Sequence, residues 1–341
     1  MKVFVTGTDG YIGCMLGQML LERGHDVTGC DAGYHRVGWL YNGQKLAPKS
    51  IVKDIRNITD QDLKGFDAVI HLAELSNDPV GELDPTITFK INHIGSLELA
   101  KNAKKAGVKR FVYFSSCSVY GASSTQASDE TSKTDPLTSY AKCKLLVERD
   151  VAPLASDDFS PTFLRNATAY GASPRQRFDL VVNNLAGLAW TTKQIKMDSD
   201  GTPWRPLVHL LDICQAACLT IEADRKAVHN QIYNVGDNNE NYQVKDIAKI
   251  ISDTFPGCSL SMGTRGGDKR DYRVNFDKIK KILPGFQTKH TVASGAKQLL
   301  RVFETIGMTN EVFQSRGHTR LKQIQYLIST KQIDSDFFWT T

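Results

Sequence analysis

The sequence predicts an α/β fold: a doubly wound parallel sheet with a smaller C-terminal α/β lobe beside it. Three observations carry that prediction. Short apolar runs alternate with helix-length runs through about residue 166. A turn with glycines at spacing three, Gly7-x-x-Gly10-x-x-Gly13, joins the first apolar run to the first helical run. Asp31 closes the second apolar run. Alternating strands and helices give a parallel sheet covered on both faces. A glycine turn between strand and helix, with an acid ending the next strand, is the Rossmann-like arrangement that binds a dinucleotide.

The elements follow in order. Val3, Phe4 and Val5 form a run suited to a strand buried on both faces. Gly7, Gly10, Tyr11, Ile12 and Gly13 make the turn assigned to the cofactor, because glycine permits positive φ and lets backbone approach a phosphate. Cys14 to Glu22 carries Met15, Leu16, Met19 and Leu20 as a helical stripe. The unpaired N–H groups and positive dipole end at its start form an anion site suited to a pyrophosphate. Gly24 ends the helix, and the next strand runs to Asp31. A carboxylate there accepts hydrogen bonds from both adenosine ribose hydroxyls and repels a 2′-phosphate, so NAD is favoured over NADP. Arg36 is near enough in sequence to leave NADP open.

Ile51 to Ile55 reads as a third strand, with Asp54 and Ile55 at an adenine edge, and Ala68 to Ala73 as a fourth. A loop over 74–85 leads into a helix over about 86–106. Phe111 to Ser115 is a fifth strand, Pro136 opens a helix over about 137–151, and Thr162 to Arg165 is a sixth strand. The pattern loosens after Gly171, with a helix over 179–190. Residues 207–220 and 232–235 return to the first lobe. The expected division is therefore residues 1–171 plus about 207–235 as the NAD-binding domain. About 172–206 plus 236–341 form the substrate lobe with a helical tail. In that tail Leu321, Ile324, Leu327 and Ile328 share one helical face, which is expected to pack on its own chain.

Composition narrows the function. The chain has 341 residues, 23% charged and 41% hydrophobic, ordinary for a globular protein with a large core. A net charge of +5 without a dense basic run gives little support for nucleic-acid binding and suits an anionic substrate. Seven scattered cysteines without a C-x-x-C, and a start that leads straight into a strand, fit a cytoplasmic protein. Its eight histidines do not cluster, so no metal is expected. No apolar run is long enough to cross a membrane.

Tyr140 and Lys144, four apart on one helix, share a face. Ser116 lies just past the carboxyl end of the fifth strand, where open parallel sheets bind ligands. A hydroxyl, a phenol and an ammonium there make a proton-transfer device. Lowering a tyrosine from about 10 to near neutrality takes about 4 kcal/mol, and a lysine charge ~5 Å away at an effective dielectric of ~20 supplies about 3 kcal/mol.

Together Gly7-x-x-Gly10-x-x-Gly13, His71-Leu-Ala73, Ser115-Ser-Cys-Ser-Val-Tyr-Gly121 and Tyr140-Ala-Lys-Cys-Lys144 resemble the extended short-chain dehydrogenase/reductases. The nearest branch is the NAD-dependent epimerase/dehydratase family acting on nucleotide sugars, and the similarity runs over about residues 1–280. The resemblance implies that Tyr140 is the base, that Lys144 lowers its pKa and holds the nicotinamide ribose, and that Ser116 binds the sugar hydroxyl. It further implies cofactor contacts from Leu72, Ala73 and Asn92. Dehydratases of the family carry Asp-Glu after the catalytic threonine, and decarboxylating relatives keep the glutamate. Here Cys117 and Ser118 stand in those places, so both activities are disfavoured. Fucose-synthase-like relatives place an acid–base cysteine where Ser118 stands, one residue past Cys117, which favours a structural over a catalytic Cys117; Cys117, Ser118 and Thr168 are expected to touch the substrate.

Asn183 and Asn184 resemble the pair that meets the substrate diphosphate. Arg205 in Trp204-Arg-Pro-Leu-Val-His209, and Arg265 with Asp268, resemble the family's diphosphate clamps. A guanidinium fork matches phosphate oxygens. Two positions depart from the family pattern. Thr168 replaces an asparagine after Arg165, and Glu74 replaces a small residue after His-x-Ala. A carboxylate near cofactor phosphates is costly unless paired or turned to substrate, so Glu74 is expected to recognise a sugar hydroxyl or amine, or to add an acid–base group. The expected protein is an NAD-dependent nucleotide-sugar epimerase acting through a transient 4-keto sugar. A 4-ketoreductase and a non-catalytic dinucleotide sensor are the alternatives. The resemblance also implies a homodimer through helices about 86–106 and 137–151.

Overall fold

The computed structural model describes residues 1–122, 126–264 and 270–340. Twelve strands are described: β1 (Lys2–Thr6), β2 (Asp26–Asp31), β3 (Lys49–Val52), β4 (Ala68–His71), β5 (Arg110–Ser116), β6 (Ser160–Asn166), β7 (Thr168–Tyr170), β8 (Gln194–Lys196), β9 (Trp204–His209), β10 (Gln231–Val235), β11 (Asn241–Gln243) and β12 (Ser259–Ser261). Seven build one sheet in the order β10-β6-β5-β4-β1-β2-β3. Every neighbouring pair in it is parallel. The order reverses between β1 and β4, and that switch point opens a crevice at the carboxyl ends of the strands.

Side chains alternate between two cores along each strand. Val3 and Val5 of β1 join Ile70, Val112 and Leu164 under the Leu210–Glu222 helix. Phe4 joins Val69, Phe111, Tyr113 and Phe163 on the opposite face. The strand ends are pinned by polar contacts. The Thr6 hydroxyl accepts from the Leu72 and Ala73 amides, each at 3.1 Å, and lies 2.7 Å from His71 Nδ1. With its own proton spent on that nitrogen, Thr6 leaves Nε2–H of His71 to donate to Ser96 at 2.7 Å. Burial holds His71 down to about 3, so it stays neutral.

The expected strand starting at Ile51 begins at Lys49 and ends at Val52; Asp54 instead caps a short 3₁₀ turn, Ile55–Asn57. The expected helix over 86–106 is interrupted. A first turn, Pro85–Thr88, leads into a π-helical stretch, Phe89–Gly95, before a regular helix, Ser96–Lys105. Widened turns of this kind cluster at functional sites. Asn92 lies in this one.

The smaller lobe holds a three-stranded sheet ordered β11-β9-β7 and a β12-β8 pair. The Val181–Thr191, Val244–Thr254 and Val292–Ile306 helices pack around Phe178, Ile247, Leu299 and Phe303. Two segments expected in this lobe lie elsewhere. Phe276, Ile279 and Leu283 pack with the β1 core. Ile324, Leu327, Ile333 and Phe337 of the tail join the core holding Phe4 and Val69, because their apolar face meets apolar surface left open on the large sheet. Leu321 is partly buried against the same core and Ile328 is exposed. Among the described residues no helix is long and apolar enough to cross a membrane, and no three potential ligands gather into a metal site.

Candidate functional site

A cleft of about 560 Å³ opens over the carboxyl ends of the strands. Its floor is the glycine turn. Gly7 has φ +81°, and a Cβ on Gly13 would lie 1.9 Å from the Gly7 carbonyl oxygen, so backbone itself forms the surface offered to a ligand. The Gly13–Glu22 helix starts there with no side-chain cap; the Cys14 and Met15 amides donate to the Gly10 and Ile12 carbonyls at 3.2 and 3.1 Å, and the positive dipole end faces the place of an anion. Asp31 accepts the Gly33 amide on Oδ1 at 2.8 Å and the Asp9 amide on Oδ2 at 3.1 Å. Those bonds fix both oxygens while leaving each a lone pair for a ribose hydroxyl. Arg36 pairs with Asp9 at 2.6 Å. Asp54 and Ile55 line the adenosine end together with Tyr34 and His35. The residues present therefore fit a dinucleotide carrying a free 2′-hydroxyl.

Ser116, Tyr140 and Lys144 converge on the same cleft with Leu72 and Ala73. Ser116 Oγ accepts the Ser118 amide at 3.1 Å, which leaves its own proton to donate. Lys144 is 4% exposed and donates to the Phe114 carbonyl of β5. Its ammonium lies 5.4 Å from the centre of the Tyr140 ring and 4.7 Å from that of Tyr113.

Glu74 changes the electrostatics of this group. Its Oε1 accepts the Tyr113 hydroxyl at 2.6 Å, and Oε2 lies 2.8 Å from Lys144 Nζ as a charge contact without hydrogen-bond alignment. The carboxylate, at the wall of the cleft, is thus bound to Lys144 and Tyr113. Burial pushes the Glu74 carboxyl up, and Lys144 draws it back. Burial works against the Lys144 ammonium, but Glu74 and then Tyr140 hold its pKa above the usual lysine value. For Tyr140, burial raises the phenol, Lys144 lowers it and Glu74 raises it again, for a net upward shift. The sequence expectation counted the Lys144 charge and not this opposing carboxylate.

Thr168, Asn184, Arg205 and Ser118 also line the cleft. Arg205 donates to the Trp204 carbonyl at 2.7 Å and to the Arg270 carbonyl. Among the described residues the Ser118 hydroxyl and Asn166 Oδ1 are buried without a hydrogen-bond partner, which leaves both for a ligand. Three expected contacts lie behind the wall instead. Asn92 is fully buried and exchanges two hydrogen bonds with the Leu75 backbone, at 2.8 and 3.0 Å, so it shapes the cofactor loop without lining it. Asn183 donates to the Tyr11 hydroxyl at 3.1 Å and the Arg177 carbonyl at 3.0 Å. The Cys117 thiol faces the Arg165 carbonyl in the core, and burial pushes it well above the usual thiol range. Arg265 and Asp268 lie outside the described residues.

Arg177, Asp179, Arg270, Tyr272 and Arg320 line the cleft without having been singled out in the sequence. Arg177 grips Asp179 at 2.8 Å and donates to the Ser76 carbonyl at 3.0 Å. The Ser173-Pro-Arg-Gln-Arg177 run carried a weak signal, since two arginines in a loop just past the short strand β7 suit a phosphate. Arg320 gave none, because it starts an ordinary amphipathic helix.

A glycine cradle for a diphosphate, a ribose-binding carboxylate and a buried Tyr–Lys–Ser group define a dinucleotide-dependent oxidoreductase of the short-chain dehydrogenase/reductase type. Comparison with known proteins gives the family: residues 3–236 match the NAD dependent epimerase/dehydratase family. The chain belongs to that family, and its cofactor is NAD. It is 28% identical to a UDP-glucose 4-epimerase of Corynebacterium glutamicum over 313 residues, covering 85% of this chain and 92% of that protein. It is 26% identical to a UDP-glucuronate 4-epimerase of Thermodesulfobacterium geofontis, covering 86% and 93%. Among solved structures, MoeE5 in complex with UDP-glucuronic acid and NAD is similar at a TM-score of 0.77 and 25% identity, covering 89% of this chain and 99% of that one.

Proposed function

We propose that the protein is a nucleotide-sugar 4-epimerase. The observation that carries this reading is the Ser116–Tyr140–Lys144 group on the cleft, with Cys117 in the core and a serine, not a carboxylic acid, at 118. Glu74 is held by Lys144 and Tyr113, which keeps it from serving as the acid that removes water. The curated 4-epimerases that this chain resembles support the same reading.

NAD, when bound, supplies the oxidant and gives the same hydride back. The chain does the rest. Tyr140 takes the proton of the sugar C4 hydroxyl and later returns it. Ser116 donates to the sugar oxygen and holds it beside the phenol. Lys144 favours the ionised phenol, opposed by Glu74. Arg205, with Asn184 and Arg265 as further members, holds the substrate diphosphate. The homodimer through helices about 86–106 and 137–151, and a cytoplasmic location, belong to the same reading. Seven free cysteines, six of them buried, fit a reducing compartment.

The test is NMR of a panel of nucleoside-diphosphate hexoses incubated with purified protein. Interconversion at C4 without added reduced cofactor is expected, and Tyr140→Phe is expected to lose at least about 10³-fold in kcat while keeping bound NAD. Loss of water from the product, net consumption of reduced cofactor, or an active Tyr140→Phe would overturn the reading.

A further inference from the structure

Past residue 314 the chain leaves the smaller lobe and crosses the adenosine end of the cofactor cleft. The contacts run along its length. A Cβ on Gly38 would lie 2.7 Å from the Gly317 carbonyl oxygen, so two backbones touch there. Gln323 donates to the Tyr34 carbonyl at 2.9 Å, and Trp339 Nε1 donates to the Ala32 carbonyl at 2.6 Å. The Tyr34 hydroxyl donates to the Phe337 carbonyl. Arg56, beside the Asp54 corner, stacks 3.7 Å over Phe338. Ala32, Tyr34 and Asp54 all line the cleft, so this segment fixes its adenosine wall.

Arg320 opens the Arg320–Ser329 helix of this segment and lines the cleft itself. It is 5% exposed. Its backbone N–H donates to Asp179 Oδ2 at 3.2 Å, but among the described residues its guanidinium has no hydrogen bond and no ion pair. Its acidic neighbours are already engaged. Arg177 holds Asp179 through Nε at 2.8 Å and Nη2 at 3.3 Å, and backbone amides hold both oxygens of Asp31. Burial first, and then the Arg177 charge, push Arg320 down to about 10 against the upward pull of Asp179 and Asp31. Nearby, His35 Nδ1 is buried without a hydrogen-bond partner among the described residues.

Contacts place Arg320 along the cleft. Its backbone N–H lies on Asp179, which Arg177 grips, and Gln323, one turn further along the same helix, donates to the Tyr34 carbonyl at the adenosine end. Between an adenosine ribose and a nicotinamide ribose lies a diphosphate. A desolvated guanidinium is costly without an anion, and its planar fork matches two phosphate oxygens.

We propose that the C-terminal segment is a strap across the cofactor cleft, and that Arg320 binds the diphosphate of NAD as a second grip beside the glycine turn. The ligand class is a dinucleotide diphosphate. The strap lies beyond the stretch matched by the family, residues 3–236. It makes release of the cofactor depend on lifting the tail.

The experiment compares full-length wild type with Arg320→Met, stripped of cofactor, by calorimetric titration with NAD, ADP-ribose, adenosine and UDP. Affinity for NAD and ADP-ribose is expected to fall about 10–100-fold, with adenosine and UDP unchanged. Arg320→Lys, which keeps the charge without the fork, is expected to fall between the two. Unchanged NAD affinity overturns the proposal. So does an equal loss for adenosine, which makes Arg320 a wall of the adenosine pocket, or a loss for UDP, which assigns it to substrate. Should Arg320→Met not fold, Arg320→Lys decides on the same four ligands. These readouts are binding constants, so they stand whether or not the protein proves to be a 4-epimerase.

Discussion

Replacing Glu74 by glutamine tests the electrostatic account of the catalytic group. Lys144 Nζ lies 5.4 Å from the Tyr140 ring centre, which at an effective dielectric of ~20 favours the phenolate by about 3 kcal/mol, or roughly 2 pKa units. Glu74 Oε2 lies 2.8 Å from the same nitrogen, so it is no more than about 8 Å from that ring centre. Its opposing contribution is then at least about 2 kcal/mol, roughly 1.5 units. Glutamine keeps the volume and an acceptor for the Tyr113 hydroxyl and removes the charge. The acid limb of the kcat profile is expected to move at least about 1.5 units toward lower pH, because less alkali is needed to ionise Tyr140. The same change strands the Lys144 ammonium, and breaking a buried pair costs about 3–5 kcal/mol. With roughly 2.1 cal/mol/K of unfolding entropy per residue over 341 residues, that is a fall in Tm of about 4–7 °C. A pH–rate series and a melting curve on one preparation decide the matter. An acid limb that stays in place or moves up, with Tm lowered or not, refutes the claim that Glu74 opposes Lys144.

Two further predictions concern the cofactor floor and the core. Gly13→Ala would put a methyl 1.9 Å from the Gly7 carbonyl oxygen, backbone that cannot step aside without deforming the turn; NAD retained after gel filtration should fall at least about 10-fold, and full retention would contradict the cradle. Burial holds His71 down to about 3 and His209 to about 4, against ~6.5 unfolded, so the unfolded chain protonates first as pH falls. Their contribution is whole above about pH 6.5 and is lost below it, by about 2 kcal/mol each at pH 5. Urea unfolding of His209→Gln should therefore lose about 2 kcal/mol less than wild type between pH 7 and 5, and an unaltered pH dependence would exclude this role for His209.

The sheet was legible because its strands announce themselves locally. Val3-Phe-Val5, Ala68-Val-Ile and Phe111-Val-Tyr-Phe are short apolar runs between polar turns, and a strand buried on both faces needs nothing more. The glycine turn was legible for a related reason, since the backbone positions that must lack a Cβ show directly as glycine. Boundaries were less so. The interrupted helix over 85–105 follows from Asn92 turning inward to hold Leu75, a tertiary contact that overrides a continuous helical stripe. The tail's apolar face was visible, but not which surface it would cover, because amphipathicity states that a face must be buried and not against what.

The site was legible where chemistry rests on spacing within one helix, and illegible where it rests on sums over the fold. Tyr140 and Lys144 four residues apart are enough to read a phenol beside an ammonium. Their titration also depends on Glu74, about 70 residues away in sequence, and on burial. The departure at residue 74 was visible as a carboxylate in an unusual place, yet its partner was not. An acid near phosphates suggested substrate recognition, whereas in three dimensions the nearest cation is Lys144. Arg320 shows the same limit from the other side. A basic residue at the start of a surface-like helix reads as solvated, and only the closure of the tail over Tyr34 and Ala32 removes the water that would have solvated it. In both cases the decisive quantity is desolvation of a charge, which is set by everything packed around it and so has no signature in the residue's own neighbourhood of sequence.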